Sequence, residues 1–407
     1  MLDVLLTVAG ALALLVAALS ARIQRAPLSG PLLALLTGVL FGPEVLAVID
    51  LPTIVERHDV MHEVSRLLLA VSVMAVALRY PVRDIRPLTR PLTLLLVAGM
   101  IGMALLTSAV AAAVLGLGLA AAFLLGTALC ATDPVLATSA VTGDPAERTI
   151  PLRTRQLLSL ESGANDGLAL PLVLAAVALA GPLSGPAALL ESVLGILGAI
   201  VFGAAVGAAG GWLLRRAEAH REVESGPLLI YTLLLALFVL GPSGLLHLDG
   251  ILAVFVSGLA FNATSSAGER ATEYRIDEAV NRILVLPLFT ALGAMLPWHE
   301  WAELGWWRAL LLVVAVLLLR RLPLLLAFRR PLGLTWRDAV FLGWFGPMGV
   351  SALFYLTLEA ARLEADALVL GAGTLLVVAS TIAHGVTNAP AVAAYRRAAD
   401  HVKKQRS

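Results

Sequence analysis

Charge and cysteine are the scarce components of this sequence. Only 14% of its 407 residues are charged, whereas soluble domains carry about 25%. The net charge of +1 gives no electrostatic basis for binding nucleic acid. Cys130 is the only cysteine, which excludes an internal disulfide and a multi-cysteine metal site. It lies in an apolar run and is interpreted as a packing residue.

Apolar residues, in contrast, are abundant. They make up 59% of the chain, and the mean hydropathy is +0.90. A helix needs about 20 apolar residues to cross the hydrocarbon core of a bilayer, and long unbroken apolar runs exclude a β-barrel. The sequence therefore predicts an all-α polytopic membrane protein with about 13 transmembrane helices. The predicted spans are 2–20, 30–49, 60–78, 92–115, 119–141, 154–180, 187–214, 227–241, 244–262, 279–297, 304–328, 336–359 and 366–393.

Basic residues alternate between the connections that join these spans. The connections after the odd-numbered spans are rich in arginine, as is the segment after span 13. The opposite connections hold Arg57 and Arg362, with Arg308 at the edge of span 11. Because basic residues remain in the cytoplasm, the pattern predicts a multi-pass protein of the cell membrane. Its N-terminus is expected outside and its C-terminus in the cytoplasm.

Two predicted spans are interrupted near their middle. Span 5 contains Thr132-Asp133-Pro134, and span 12 contains Gly346-Pro347-Met348-Gly349. Each is the fifth span of a set of six if span 7 joins two halves. Broken helices at matching positions are typical of transporters with inverted repeats and a midplane site. We predict two inverted repeats with broken crossing helices 5 and 12. Two independent proline kinks are the alternative.

Span 6 carries two acids inside a predicted membrane segment. A bare charge there costs roughly 2.5–3.5 kcal/mol. Glu161 and Asp166 are five residues apart, about 140° around the helix axis. Their side chains therefore point in different directions, which indicates two roles. One is expected to be locked by Arg320 or Arg321 of span 11, and Asp166 is expected to stay free to bind a cation or a proton.

The surroundings of these acids suggest further roles. Asp133, in the break of span 5, can neutralise the positive N-terminal end of a half-helix or contact a cation directly. Thr132 can offer oxygen atoms, which hard cations prefer. Gly163 and Gly167 are expected to open the surface around Asp166.

The motifs at these two spans have a known counterpart. Residues 131–137 (ATDPVLA) and 161–167 (ESGANDG) resemble the monovalent cation:proton antiporter family, in its bacterial sodium/proton exchanger branch of the NhaP type. The resemblance covers nearly the whole chain, including residues 245–258. It implies that Asp166 carries either the cation or a proton. Asn165 stands where electrogenic relatives have a second aspartate, which implies electroneutral exchange.

The resemblance also assigns the supporting residues of the site. Thr132, Asp133 and Ser162 would complete it. Glu161 would pair with Arg321, which lies 27 residues before Met348 as the family's arginine does, with Arg320 as the fallback. The segment 346–349 reads Gly-Pro-Met-Gly where many relatives have Gly-Leu-Arg-Gly, so a charge is missing there.

A domain organisation follows from the same resemblance. It implies one transmembrane transporter domain over 1–395, followed by a short cytoplasmic tail over 396–407. Core helices are expected at about 92–180 and 304–393. Scaffold and dimer helices are expected at about 2–78 and 187–297. A homodimer is implied, with a monovalent cation, a proton and the bilayer as partners and no cofactor. Na⁺ is the expected cation, but the sequence does not choose among Na⁺, K⁺ and Li⁺.

Two other functions use the same features. A cation channel, or a proton-coupled carrier of another solute, would also need buried acids, and a channel would conduct without counterflow. An intramembrane enzyme is disfavoured, because the sequence has no Gly-x-Ser-x-Gly, His-Glu-x-x-His or Asp-rich motif. His384 and Ser162 are therefore not expected to form a hydrolase pair, and His384 is interpreted as a packing residue.

Overall fold

All the secondary structure in the described ranges is helical, which confirms the predicted class. The computed structural model describes residues 2–18, 29–80, 82–133, 136–137, 144–181, 185–220, 228–265, 285–363 and 367–406. Its main helices are α1 (Leu2–Ala18), α2 (Gly30–Phe41), α3 (His58–Arg79), α4 (Arg86–Leu115), α5 (Leu119–Ala128), α6 (Leu152–Ala180), α7 (Gly185–Ala219), α8 (Leu228–Leu245), α9 (Gly250–Thr264), α10 (Val285–Ala294), α11 (Trp306–Phe328), α12a (Trp336–Trp344), α12b (Val350–Leu363) and α13 (Ala367–Arg406). Short helices at Val82–Ile85, Asp144–Thr149 and Trp298–Leu304 connect them.

Membrane-crossing length is reached by part of this set. Six helices in the described residues are long and apolar enough to span a bilayer: α3, α4, α6, the Val193–Ala219 part of α7, α11 and the Ala367–Ala398 part of α13. Six further apolar helices are shorter, at 10–17 residues. The count of about 13 spans therefore stays a prediction. The second half of span 5 after Ala137, the start of span 10 at 279–284 and the connections holding Arg22, Arg25, Arg270 and Arg275 lie outside the described residues.

Helix ends follow local chemistry and depart from two predicted spans. Span 2 was expected to reach residue 49, but α2 ends at Phe41, before Gly42 and Pro43. The chain then folds back, and Ile49 donates its N–H to the Phe41 carbonyl at 2.7 Å. Helix α11 is interrupted at Arg320 and Arg321, and a proline opens its second piece. A proline near a helix start is favourable because its missing N–H is not needed there.

Small residues set the distances between the central helices. On α7, a side chain at Gly203 or Gly207 would collide with backbone carbonyls of α9. On α6, a Cβ at Gly163 would lie 2.6 Å from Val76 of α3, and one at Gly167 would lie 2.8 Å from Leu252 of α9. The expectation that these two glycines open a surface around Asp166 is therefore wrong. They allow close backbone approach, a common use of glycine in membrane helices.

Two hydrogen bonds join connections that are distant in sequence. Ile54 in the α2–α3 connection donates its N–H to the carbonyl of Met295, just after α10, at 2.9 Å. Arg153 near the start of α6 donates to the carbonyl of Leu332, between α11 and α12a, at 2.9 Å. Each contact joins two connections that the sequence predicts on the same side of the membrane. The first contact is on the predicted outer side, and the second is on the predicted cytoplasmic side.

Candidate functional site

The two helix breaks lie side by side in the interior. Helix α5 ends at Ala128, and residues 131–133 are not helical. Helix α12a ends at Trp344, and α12b begins at Val350. The Asp133 N–H donates to the Pro347 carbonyl at 2.8 Å, which joins one break to the other. The unwound backbone of both segments is thereby enclosed by protein, the condition under which non-helical chain is tolerated at membrane depth.

Asp133 binds the amide ends of the half-helices. One carboxylate oxygen accepts the N–H of Val350, the first residue of α12b, and the other accepts the N–H of Leu136 at 3.2 Å. First-turn amides have no partner within their helix and carry the positive end of the helix dipole. A side chain at Gly349 would collide with this carboxylate, so glycine is required beside it. The predicted neutralising role of Asp133 thus has a specific geometry, and contact with a cation stays a prediction.

Arg320 binds the carbonyl ends. Its guanidinium donates to the carbonyls of Leu129 and Ala131 after α5, and to that of Gly346 after α12a. It is 3% exposed and does not contact Glu161, so the fallback assignment is not the arrangement found. A cation near the negative ends of two helices is stabilising. Asp133 therefore neutralises the positive helix ends, and Arg320 the negative helix ends, where the two breaks meet. This region, residues 129–133 and 345–350, is called the crossing below.

Glu161 and Arg321 form a buried bidentate ion pair. The two N–O distances are 2.5 and 2.7 Å, and both side chains are 2% exposed or less. The Nε of Arg321 also donates to the Leu342 carbonyl of α12a at 2.8 Å. Such planar pairing makes each charge tolerable away from water. The pair also ties α6 to α11 and α12a.

Asn165 is held by Thr132. The Asn165 side-chain oxygen accepts the Thr132 N–H at 3.1 Å, and its amide nitrogen donates to the Thr132 hydroxyl at 2.9 Å. That hydroxyl also lies 2.9 Å from the Ser162 hydroxyl. All three residues are fully buried. The uncharged Asn165 thus links the break of α5 to α6.

Asp166 differs from every other charged group at the crossing. Its side chain is fully buried, and neither carboxylate oxygen has a hydrogen-bond partner among the described residues. In the described part of the chain no arginine forms an ion pair with it. The Ser351 hydroxyl of α12b lies near this carboxylate without reaching hydrogen-bond geometry, and it has no other partner among the described residues. In this arrangement the Asp166 side chain is not exposed to solvent, so an ion reaches it only if the surrounding side chains or helices move.

The family profile described as "Sodium/hydrogen exchanger, transmembrane" matches residues 10–394 of this sequence. The chain belongs to the sodium/hydrogen exchanger family. This confirms the family predicted from the 131–137 and 161–167 motifs, and it makes the chain a multi-pass membrane protein of a transporter family rather than an enzyme.

Individual relatives of this exchanger-family chain agree. It is 32% identical to Na(+)/H(+) antiporter 2 of Zygosaccharomyces rouxii, over 82% of this chain and 43% of that protein. It is 24% identical to the K(+)/H(+) antiporter NhaP2 of a Shewanella species, over 72% of this chain and 50% of that protein. The chain thus spans about half the length of these relatives. Its fold matches the sodium proton antiporter MjNhaP1 of Methanocaldococcus jannaschii, with a TM-score of 0.73, 18% identity and coverage of 94% and 95% of the two chains.

Residues missed by sequence reasoning also line the site of this exchanger-family chain. Ser351 and Tyr355 are four residues apart on α12b, so they share a face. Tyr355 is fully buried and donates its hydroxyl to the backbone carbonyl of Asp166. The available signal was this hydroxyl pair just after the predicted break. A search for charged groups alone overlooks it.

His384 has a structural setting. Its Nδ1 lies 2.8 Å from the Ser380 carbonyl and its Nε2 lies 2.8 Å from the Trp344 carbonyl, at the end of α12a. Among its described contacts none is to Ser162. This agrees with the interpretation of His384 as a packing residue that joins α13 to the break of α12.

Proposed function

We propose that this chain exchanges a monovalent cation for protons by competition at Asp166. The observation that carries the proposal is that Asp166 is fully buried and its carboxylate has no hydrogen-bond partner among the described residues. In contrast, Asp133, Glu161, Arg320 and Arg321 are all bonded. A bare carboxylate in a low-dielectric interior costs several kcal/mol. Either a proton or a metal cation removes most of that cost, and one carboxylate does not hold both. The loaded site therefore crosses more easily than the empty one.

Na⁺ is the expected cation. The choice of Na⁺ is supported by the Zygosaccharomyces relative, which is 32% identical and is named a Na(+)/H(+) antiporter. The Shewanella relative at 24% identity is named a K(+)/H(+) antiporter, so K⁺ is the competing choice. Thr132, Asp133, Ser162 and Asn165 are proposed to complete the site around Asp166, with the Glu161–Arg321 pair as its fixed frame. Ser162 lies four residues before Asp166 and shares its helix face.

One-for-one, electroneutral exchange is the proposed stoichiometry. Asn165 has no charge to contribute, and both ends of its amide are occupied by Thr132. Within the crossing, Glu161 offsets Arg321, and Asp133 offsets Arg320. Asp166 remains as the one acid at the crossing whose charge changes, so each half-cycle would carry a single positive charge.

Alternating access is proposed to move a core against a scaffold. The core would comprise about 92–180 and 304–393, and the scaffold about 2–78 and 187–297, in an inverted-repeat fold of about thirteen spans. The crossing of the two breaks supports this, because discontinuous helices commonly line midplane sites between repeats. The N-terminus is proposed to lie outside, the C-terminus in the cytoplasm, and the protein to form a homodimer in the cell membrane.

Purified protein in liposomes tests the exchange directly. A pH dye inside the vesicles should report alkalinisation or acidification when Na⁺, K⁺ or Li⁺ gradients are applied, and the responding ions define selectivity. Asp166→Asn should abolish the response while keeping the elution volume and melting temperature of the folded protein. Asp59→Asn, which removes an exposed acid, is the matched control and should leave exchange intact.

The outcomes separate the competing functions. Undiminished exchange by Asp166→Asn would refute the proposed carrier. Ion conductance without proton counterflow would favour a channel. Clamping the membrane potential with K⁺ and valinomycin should leave the Na⁺-dependent rate unchanged if exchange is electroneutral, whereas a potential-dependent rate would refute the stoichiometry.

A further inference from the structure

A cavity of about 210 Å³ lies close to Asp166 but outside the site described above. Its walls come from α6 just after Asp166, from α7, from the α8–α9 connection and from the end of α12b. Leu170 and Pro171 form the α6 wall, Asp249 belongs to the connection, and Arg362 lies at the end of α12b. The volume has room for several water molecules.

Asp249 brings a buried carboxyl group with one unused oxygen to this cavity. It is 3% exposed, and one carboxylate oxygen caps α9 by accepting the Leu252 N–H at 2.9 Å. The other oxygen is buried without a hydrogen-bond partner. A helix cap needs one acceptor oxygen, and asparagine or serine provides it as well as aspartate. The structure of α9 therefore accounts for the capping oxygen but not for the charge.

Arg362 and His247 are the other ionisable groups on the cavity wall. Arg362 does not come within ion-pair distance of Asp249 in the part of the chain described here, although both line the same space. Among the described residues, Asp249 thus has no cationic partner, although it lines a space that has room for water. An arginine on the opposite wall would weaken the binding of a cation and favour its release.

Tyr355 packs against the turn of α6 that runs from Asp166 to the cavity wall. Leu170 of the wall is four residues after Asp166, about one helical turn. The Tyr355 hydroxyl donates a hydrogen bond to the backbone carbonyl of Asp166. It also lies near the backbone of Leu170 and near the Asp249 carboxyl group.

We propose that the cavity at Asp249 is a second monovalent-cation site, where a partly hydrated cation is held about one helical turn from Asp166 before it reaches that carboxylate. Its ligands are the free Asp249 oxygen and water, the oxygen donors that hard cations require. Delivery to Asp166 rests on the proposed exchange function, whereas binding at Asp249 does not.

Equilibrium binding of ²²Na⁺ to the purified full-length protein tests the site without transport. Wild type, Asp166→Asn, Asp249→Asn and the double variant are compared, with unlabelled Na⁺ as the displacing ion. Asp166→Asn should retain displaceable Na⁺, the double variant should bind none, and Asp249→Asn should lose the component that Asp166→Asn retains. Absence of displaceable Na⁺ in Asp166→Asn would overturn the second site, as would unchanged binding in the double variant relative to Asp166→Asn.

Transport kinetics test the role of the site. Asp249→Asn and Asp249→Ser keep the helix cap, so each should fold while its apparent KM for Na⁺ rises about ten-fold, the loss of one charged contact. Asp249→Glu should recover part of the affinity. Glu63→Gln is the control, because Glu63 is exposed and its partner Arg66 packs near Gly244 on the cavity wall. It should leave the KM unchanged.

The failures remain distinguishable. If Asp166→Asn retains Na⁺ binding but the wild-type protein shows no exchange, the proposed function is refuted and the Asp249 site stands. If the wild-type protein exchanges ions and the KM for Na⁺ is unchanged in Asp249→Asn and Asp249→Ser, the delivery role is refuted and the exchange function stands.

Discussion

Glu161 and Arg321 depend on each other because both are shut away from water. Removing one partner of a buried ion pair leaves the other charge bare and costs about 3–5 kcal/mol. Glu161→Gln and Arg321→Met should each lower the free energy of unfolding by that order. Thermal unfolding of the purified protein in detergent, followed by intrinsic fluorescence, measures the loss.

The double variant is the decisive comparison for this pair. With both charges gone, no bare ion remains, and replacing a buried pair by uncharged side chains is often nearly neutral. Glu161→Gln with Arg321→Met should therefore melt above either single variant. A double variant whose loss equals the sum of the two single losses would contradict mutual neutralisation.

The need of Glu161 for a cationic partner was predictable from its position in an apolar span, but the choice between Arg320 and Arg321 was not derivable from residue chemistry. Adjacent residues point about 100° apart on a helix, and α11 is interrupted at this pair. The resemblance named Arg321, and the structure pairs Arg321 with Glu161. The contacts of Arg320 with three carbonyls depend on where the α5 and α12a breaks lie in space, which no local pattern contains.

The positions of the helices and of their breaks were predicted mainly from the length of apolar runs and from proline and glycine within them. The breaks of α5 and α12 were predicted because both contain polar or helix-breaking residues within apolar runs. The interruption of α11 was missed, although Pro323 follows the arginine pair. Gly163 and Gly167 were misread because a glycine in a helix is equally consistent with an opening and with a close contact. Only the positions of Val76 and Leu252 decide.

The contact between α7 and α9 gives a test at the level of helices. A side chain at Gly207 would collide with the backbone of α9 at Ser257. Gly207→Ala should force the helices apart and cost about 1–3 kcal/mol. Gly241 of α8 has nothing within 4 Å of an added Cβ, so Gly241→Ala should be neutral or slightly stabilising. Melting temperatures of the two variants measure the difference, and equal values would refute the tight contact.

For the whole molecule, the two groups of connections make the orientation testable. Cys130 is buried, so single cysteines added at exposed positions report their own side of the membrane. Glu56→Cys and Glu303→Cys should react with an impermeant maleimide in intact cells. Glu147→Cys and Arg330→Cys should react only after permeabilisation. All four positions are exposed at the surface. Labelling of Glu147→Cys in intact cells would contradict the predicted orientation.

Competition between Na⁺ and a proton for one buried carboxylate determines how transport responds to pH. If Asp166 holds either ion but not both, protons inhibit Na⁺ uptake from the same side by mass action. At acidic pH the apparent KM for Na⁺ should rise about ten-fold per pH unit, while the maximal rate at saturating Na⁺ stays constant. Initial rates in liposomes across a pH series, with equal pH on both sides at each step, measure both quantities. A maximal rate that falls while KM stays fixed would mean that a proton blocks a group other than the cation's own ligand, and the one-carboxylate mechanism would fail.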